Sequence, residues 1–198
     1  MELEKSILFK INDLICEFRT IYEADVSQEY IDGLIEQNEY IENIPANVSF
    51  SIQKKYIKET INSNNSTICG LFFDGEFVGT AGIQLSFFES FLQNTESQVG
   101  ELATIGIFVF NKSYRGMGLG KTLVWAAMYL FHNSTQTEWF GAGMAKKNIP
   151  SLKSFISCGF RQVYEDEKNY KVLLNYSELT KPEFIKDEAI KVANQIAS

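Results

Sequence analysis

The most constraining stretch of the chain is ATIGIFVFNKSYRGMGLGKTLVWAAMYLF, residues 103–131. Residues 103–110 are β-branched and aromatic and read as a buried strand. KTLVWAAMYLF, from Lys121, reads as a helix. A glycine-rich turn joins them, so a strand runs almost directly into a helix N-terminus. Such a terminus carries unpaired N–H groups and the positive end of the helix dipole, which favour an anion. Glycines let the backbone approach that anion closely. The stretch is not a Walker loop, because the leading glycine would fall on Arg115 and Gly116 comes one residue late. It is not a dinucleotide fingerprint either, since the third glycine comes one residue early. What is present is R-x-x-G-x-G, from Arg115 to Gly120.

The rest of the chain supplies alternating strands and helices, which predicts an α/β fold. Residues 12–22 read as a first strand. Helices are expected from Ser27 to Gln37 and over residues 47–61, ended by the polar run NSNNST. Asp74-Gly75 sits between two apolar runs and predicts a hairpin over residues 67–85. Residues 86–100 form a longer, partly helical connection. Residues 137–145 read as a strand, residues 148–160 as a helix closed by Gly159, and residues 161–175 as a last hairpin. The tail, residues 180–198, opens with Thr180-x-x-Glu183 and Pro182. Phe184, Ile185, Ala189, Val192 and Ile196 then form an apolar stripe, which predicts an amphipathic helix packed on the domain or in a dimer contact.

Composition excludes several functions. A net charge of −7 argues against a nucleic-acid surface. The apolar runs are too short to span a membrane, which takes about 18 residues. Met1 begins no signal-peptide pattern. Cys16, Cys69 and Cys158 are odd in number and widely spaced. They predict neither a zinc site nor a disulfide framework, and a cytoplasmic location fits them.

The strand, the R-x-x-G-x-G turn and the later NIPSLKSFISCGF resemble the GCN5-related N-acetyltransferase (GNAT) superfamily. The element order over most of residues 12–175 is similar too. The resemblance implies a mixed, mostly antiparallel central sheet flanked by helices, here assigned to residues 1–176; it leaves the appended helix expected over residues 177–198 unexplained. It implies acetyl-CoA as co-substrate, no metal, and an amine as acceptor, attacked directly without an acyl-enzyme. The cofactor pyrophosphate would lie against Arg115, Gly116, Met117, Gly118, Leu119 and Gly120, with Lys121 or Thr122 adding a contact. The pantetheine arm would pair with the strand at Phe108, Val109 and Phe110, and Asn148 and Ser151 would hold it from the next helix.

For the chemical step the resemblance implies a carboxylate base near the central strand, for which Glu101 is the candidate, with Glu89 and Glu96 as alternatives. A backbone N–H near Val109 would meet the oxyanion. The general acid of such enzymes is a tyrosine, whose position here holds Phe155, a side chain without a proton to give. Phe155 is expected to pack on the pantetheine arm. Ser154, Ser157, Tyr114 and water remain as proton donors. His132 reads as a partner of its helix C-terminus, and Phe87, Phe88 and Phe91 as core or as acceptor-pocket lining. Two other functions stay open: a non-catalytic acyl-CoA-binding module, and a P-loop hydrolase, which the missing glycine disfavours.

Overall fold

The computed structural model describes residues 1–3, 5–36, 48–92, 100–114 and 116–192. Nine strands form one sheet in the order β7-β8-β6-β5-β4-β3-β2-β1-β9. The strands are β1 (Lys5–Ile11), β2 (Leu14–Thr20), β3 (Ser66–Phe73), β4 (Glu76–Phe87), β5 (Glu101–Val109), β6 (Trp139–Ala145), β7 (Arg161–Glu165), β8 (Asn169–Asn175) and β9 (Ile185–Val192). Every pairing is antiparallel except β5 with β6. The helices are α1 (Gln28–Glu36), α2 (Phe50–Ile61), α3 (Phe88–Leu92), α4 (Leu119–Thr135) and α5 (Ile149–Ile156). The mixed, mostly antiparallel sheet flanked by helices is the expected fold.

Local chemistry explains the turns. Asp74 and Gly75 take φ values of 51° and 83°, the left-handed pair that a tight β3–β4 hairpin requires. Asn12 and Asp13 do the same, at 50° and 66°, between β1 and β2. The strand expected over residues 12–22 is therefore β2 alone, starting after a turn at its first residues, and β1 precedes it unexpected. Asn and Asp tolerate this conformation through their short polar side chains.

Helix α4 is apolar on nearly every side and packs on β5, β4, β1 and α5. It buries Leu123, Val124, Ala126, Ala127, Met128 and Phe131 completely. On this face of the sheet β5 presents Ala103 and Ile105 to the same core. The opposite face carries two smaller aromatic clusters. One joins Tyr30, Phe72, Phe108 and Phe110 under α1 and α2. The other joins Phe88, Phe91, Leu102 and Leu173 under α3. Phe88 and Phe91 are thus core, while Phe87 is exposed.

The tail corrects an expectation. Residues 185–192 are a strand, not a helix: β9 pairs with β1 from Lys5↔Val192 to Ile11↔Ile185. The open edge of β1 offers a full ladder of backbone partners, and a helix over these residues would leave that ladder unmade. Asp187, at φ 54°, interrupts the strand where the β1 register shifts between Leu8 and Lys10. Pro182 is buried in the approach to β9 rather than placed in the first turn of a helix. Ile196 lies outside the described residues.

Candidate active site

Strands β5 and β6 pair only at Ala103↔Phe140 and Thr104↔Gly141. Beyond that point β5 stays with β4 as far as Gly79↔Val109, and β6 stays with β8 as far as Ala145↔Asn169. The two parallel strands therefore separate, and the ladder between them stops. A cleft of about 1150 Å³ opens there, lined by Ile107, Phe108 and Val109 of β5, the glycine turn, and α5.

The turn is built for close approach. Gly116 and Gly118 have φ values of 80° and 82°, a region that L side chains enter only with strain. Gly118 is the N-cap of α4 and contributes no side chain to it, so its place serves the backbone. Gly120 lets α5 come close, because a Cβ there would lie 2.4 Å from the Ser154 hydroxyl. Three lysines, Lys112, Lys121 and Lys153, line the cleft against one carboxylate, Glu36. Lys112 is paired with Glu36 at 2.7 Å, which leaves Lys121 and Lys153 as the net positive charge among the described lining residues.

Asn148 is the N-cap of α5, and its Oδ1 accepts the Ser151 N–H at 3.2 Å. With the oxygen so used, the group it can offer a ligand is its amide NH₂. Both residues line the cleft.

Several expected site residues lie elsewhere. Phe155 is 1% exposed and packs edge-to-face on Phe160 at 5.0 Å, in the core rather than in the cleft. Phe110 is buried under α1, where Gly33 lets the helix sit on its Cβ. Thr122 is fully buried, and its hydroxyl donates to the Gly118 carbonyl at 3.2 Å, so it secures the turn from within. Met117 is exposed and outside the cleft lining. Arg115 and Glu96 lie outside the described residues. Glu89 is exposed on α3. Glu101 starts β5, exposed and opposite Phe87. Six residues separate it from Ile107, about 20 Å along a strand, and it does not line the cleft.

Three of the hydroxyls that line the cleft donate to groups of the protein. Ser154 donates to Pro150 O at 3.0 Å and Ser157 to Ser154 O at 2.8 Å. Tyr114 donates to Glu76 at 2.7 Å, a bond that raises its phenol above the ordinary range. The thiols are inert: burial lifts Cys158 to about 11 and Cys16 and Cys69 to about 12. His132 stacks on Tyr176 at 3.6 Å and bonds the Thr137 carbonyl, near the end of α4. No group of side chains among the described residues could hold a metal ion. No helix among them is long and apolar enough to cross a membrane.

One feature was not read from the sequence. Gly82 of β4 and Gly106 of β5 face each other directly, and Gly143 of β6 lies across the opening. A Cβ on any of the three would meet no described atom within 4 Å. By strand alternation they share the face of Leu102 and Gly141, opposite α4. Glycines in strands often mark such a close approach, but their coincidence across three strands needs the register.

The acetyltransferase (GNAT) family model matches residues 27–160, more than half of the chain. The chain belongs to the GNAT family. The GNAT match includes the glycine turn, the cleft strands and α5, and stops before β7. No curated protein matches the chain by sequence. Solved structures share the fold at low identity. An uncharacterized protein from Bacillus halodurans has a TM-score of 0.70 at 19% identity, covering 89% of this chain and 93% of that one. Mycobacterium smegmatis RimJ in complex with CoA-disulfide gives 0.67 at 15%, covering 91% and 93%. Vibrio cholerae spermidine N-acetyltransferase in complex with CoA and spermine gives 0.63 at 13%, covering 82% and 96%.

Proposed function

We propose that the protein moves an acetyl group from acetyl-CoA to a primary amine in a ternary complex, without an acyl-enzyme. The observation that carries this reading is the break in the β5–β6 ladder, which runs straight into the left-handed glycine turn of α4. An extended arm can lie against β5 there while an anionic group meets the helix N-terminus. The residues present fit coenzyme A. Gly116, Gly118, Leu119 and Gly120 would offer backbone N–H groups to the pyrophosphate, with Lys121 as counter-charge. Phe108 and Val109 would flank the arm, and the Asn148 amide and Ser151 would hold it from α5. Bound there, acetyl-CoA supplies an activated acyl group with a thiol leaving group.

Among the described residues the carboxylate lining the cleft is Glu36, and it is tied to Lys112. The acceptor amine must lose its proton to attack. It enters from the opposite face of the sheet, over Gly82 and Gly106, where an added Cβ would meet no described atom within 4 Å. Spermidine, the acceptor named for the Vibrio cholerae structural relative, carries primary amines. Three buried thiols, none in a disulfide, suit the cytoplasm.

Thermal melting tests the reading. Coenzyme A without metal should raise the melting temperature, worth about 2.7 kcal/mol at a hundredfold excess over Kd. Gly118→Glu should abolish the shift by placing a side chain and a like charge at the pyrophosphate. Stabilisation by ATP with magnesium and not by coenzyme A would sink it. Phe155, buried and without a proton to give, favours one second reading, a non-catalytic acyl-CoA-binding module. Turnover of acetyl-CoA with a panel of amines separates the two.

A further inference from the structure

The segment that follows β8 crosses behind the cofactor cleft. Thr180 N–H bonds Cys158 O at 3.0 Å, at the end of α5. The Glu178 carbonyl would lie 2.9 Å from a Cβ on Gly159. Residues 182–185 then pass the N-terminus of α4, Ile185 is fully buried, and β9 joins β1. Salt bridges Lys181–Glu188 at 2.7 Å and Lys10–Asp187 at 3.0 Å fasten the crossing. One strap thus touches both helices that line the cleft. It lies wholly outside residues 27–160, so the family match does not account for it.

Phe184 is the point of contact. Its Cζ and Cε1 lie 2.9 and 3.0 Å from where a Cβ on Gly118 would stand. The Lys121 ammonium sits 4.6 Å from the centre of the same ring. Lys121 and Gly118 line the cleft; Phe184 does not. The ring therefore lies behind the turn, its face toward the ammonium of a lysine that lines the cleft. A lysine ammonium on a four-carbon stem is otherwise free to sample many rotamers, and ordering it on binding opposes affinity.

We propose that Phe184 is a positioning residue for the cofactor: it backs the Gly118 turn and holds the Lys121 ammonium in place to meet the pyrophosphate. The role rests on the coenzyme A reading above. It makes the C-terminal strap, including β9 as its anchor, part of the binding site without touching the ligand. A cation–π contact of this kind corresponds to about a threefold to tenfold change in affinity at a partly exposed site.

The test is calorimetric titration of the full chain with coenzyme A and with pantetheine, which lacks the pyrophosphate. Phe184→Leu keeps the packing and loses the ring face. It should raise the Kd for coenzyme A about threefold to tenfold and leave pantetheine binding unchanged. Phe184→Tyr should restore the parent value. In a Lys121→Met background Phe184→Leu should have no further effect. In turnover, KM for acetyl-CoA should rise with kcat unchanged. Circular dichroism melts confirm that each variant is folded. An equal loss of affinity with and without Lys121, or no loss at all while the parent binds coenzyme A, overturns the role of Phe184 alone. A parent chain that binds no coenzyme A overturns the functional reading and this role together.

Discussion

Gly116 and Gly118 share a backbone conformation but not an environment, and alanine at each separates the two effects. Both have φ near +80°, so alanine at either costs about 1–2 kcal/mol for entering the left-handed region. At Gly116 nothing described lies within 4 Å of the new methyl, and the cost ends there. At Gly118 the methyl meets the Phe184 ring at 2.9 and 3.0 Å, below ordinary contact. Overpacking of this kind adds about 1–3 kcal/mol. Gly118→Ala should therefore destabilise by about 3 kcal/mol and Gly116→Ala by about 1 kcal/mol. For a chain of this size that is about 6–12 °C against about 2–4 °C in melting temperature. Urea denaturation followed by tryptophan fluorescence reads the difference. Trp125 is buried in α4 and stacked on Tyr129 at 5.3 Å, so it reports on this helix. Equal destabilisation by the two substitutions would refute the steric reasoning. So would a gap that persists in a Phe184→Ala background.

Gly106→Val should leave stability and coenzyme A affinity near the parent values, since the position is exposed and open. It should raise KM for the amine about tenfold or more if the acceptor crosses this floor, which steady-state kinetics with saturating acetyl-CoA measures. Glu101→Gln should change kcat by less than about twofold, because about 20 Å of strand separates it from the cleft; a loss near a hundredfold would return it to the role of base. Arg19 holds Asp25 through hydrogen bonds at 2.7 and 2.9 Å. Burial raises that carboxyl, but the Arg19 and Tyr22 N–H bonds outweigh it and hold the group below the ordinary range. Its contribution to stability is complete above about pH 4 and is lost as pH falls through the depressed value. Asp25→Asn should cost about 1–2 kcal/mol near neutral pH and little at pH 2, as read by denaturation at both.

The glycine turn into α4 was legible in sequence because its geometry is local. Gly118, Gly120 and the flanking strand and helix lie within one short run, and the Asn148 cap announces α5 in the same way. The Asp74-Gly75 turn was legible for that reason too. Asn12-Asp13 makes the same turn without glycine, so the signal was weaker and β1 was missed. The tail failed for a different reason. Its apolar spacing suits a helix, and what decides it is β1, about 180 residues earlier in sequence. Phe155 was placed on the right helix but turned the wrong way: its side chain fills the core beneath α5 and does not face the cleft. Glu101 was correctly assigned to the central strand, but distance along that strand was not weighed. The three-strand glycine floor and the Phe184 contact depend on register and on long-range packing, which no short window of sequence contains.

The order of the strands in space is not their order of synthesis. β1 is made first and β9 last, yet they are neighbours at one border of the sheet. A nascent chain can complete the β3–β4 hairpin, α4 and α5 while β1 still waits for its outer partner. Closing so long a loop adds little to the equilibrium cost, since each doubling of length adds only about 0.6 kcal/mol, but such distant pairings slow the final approach to the native state. The glycine turn thus forms early from local residues and receives its aromatic backing late. On the role proposed for Phe184, full affinity at the turn becomes a sign that β9 has docked, and a chain truncated before Phe184 would keep the motif while lacking the support behind it.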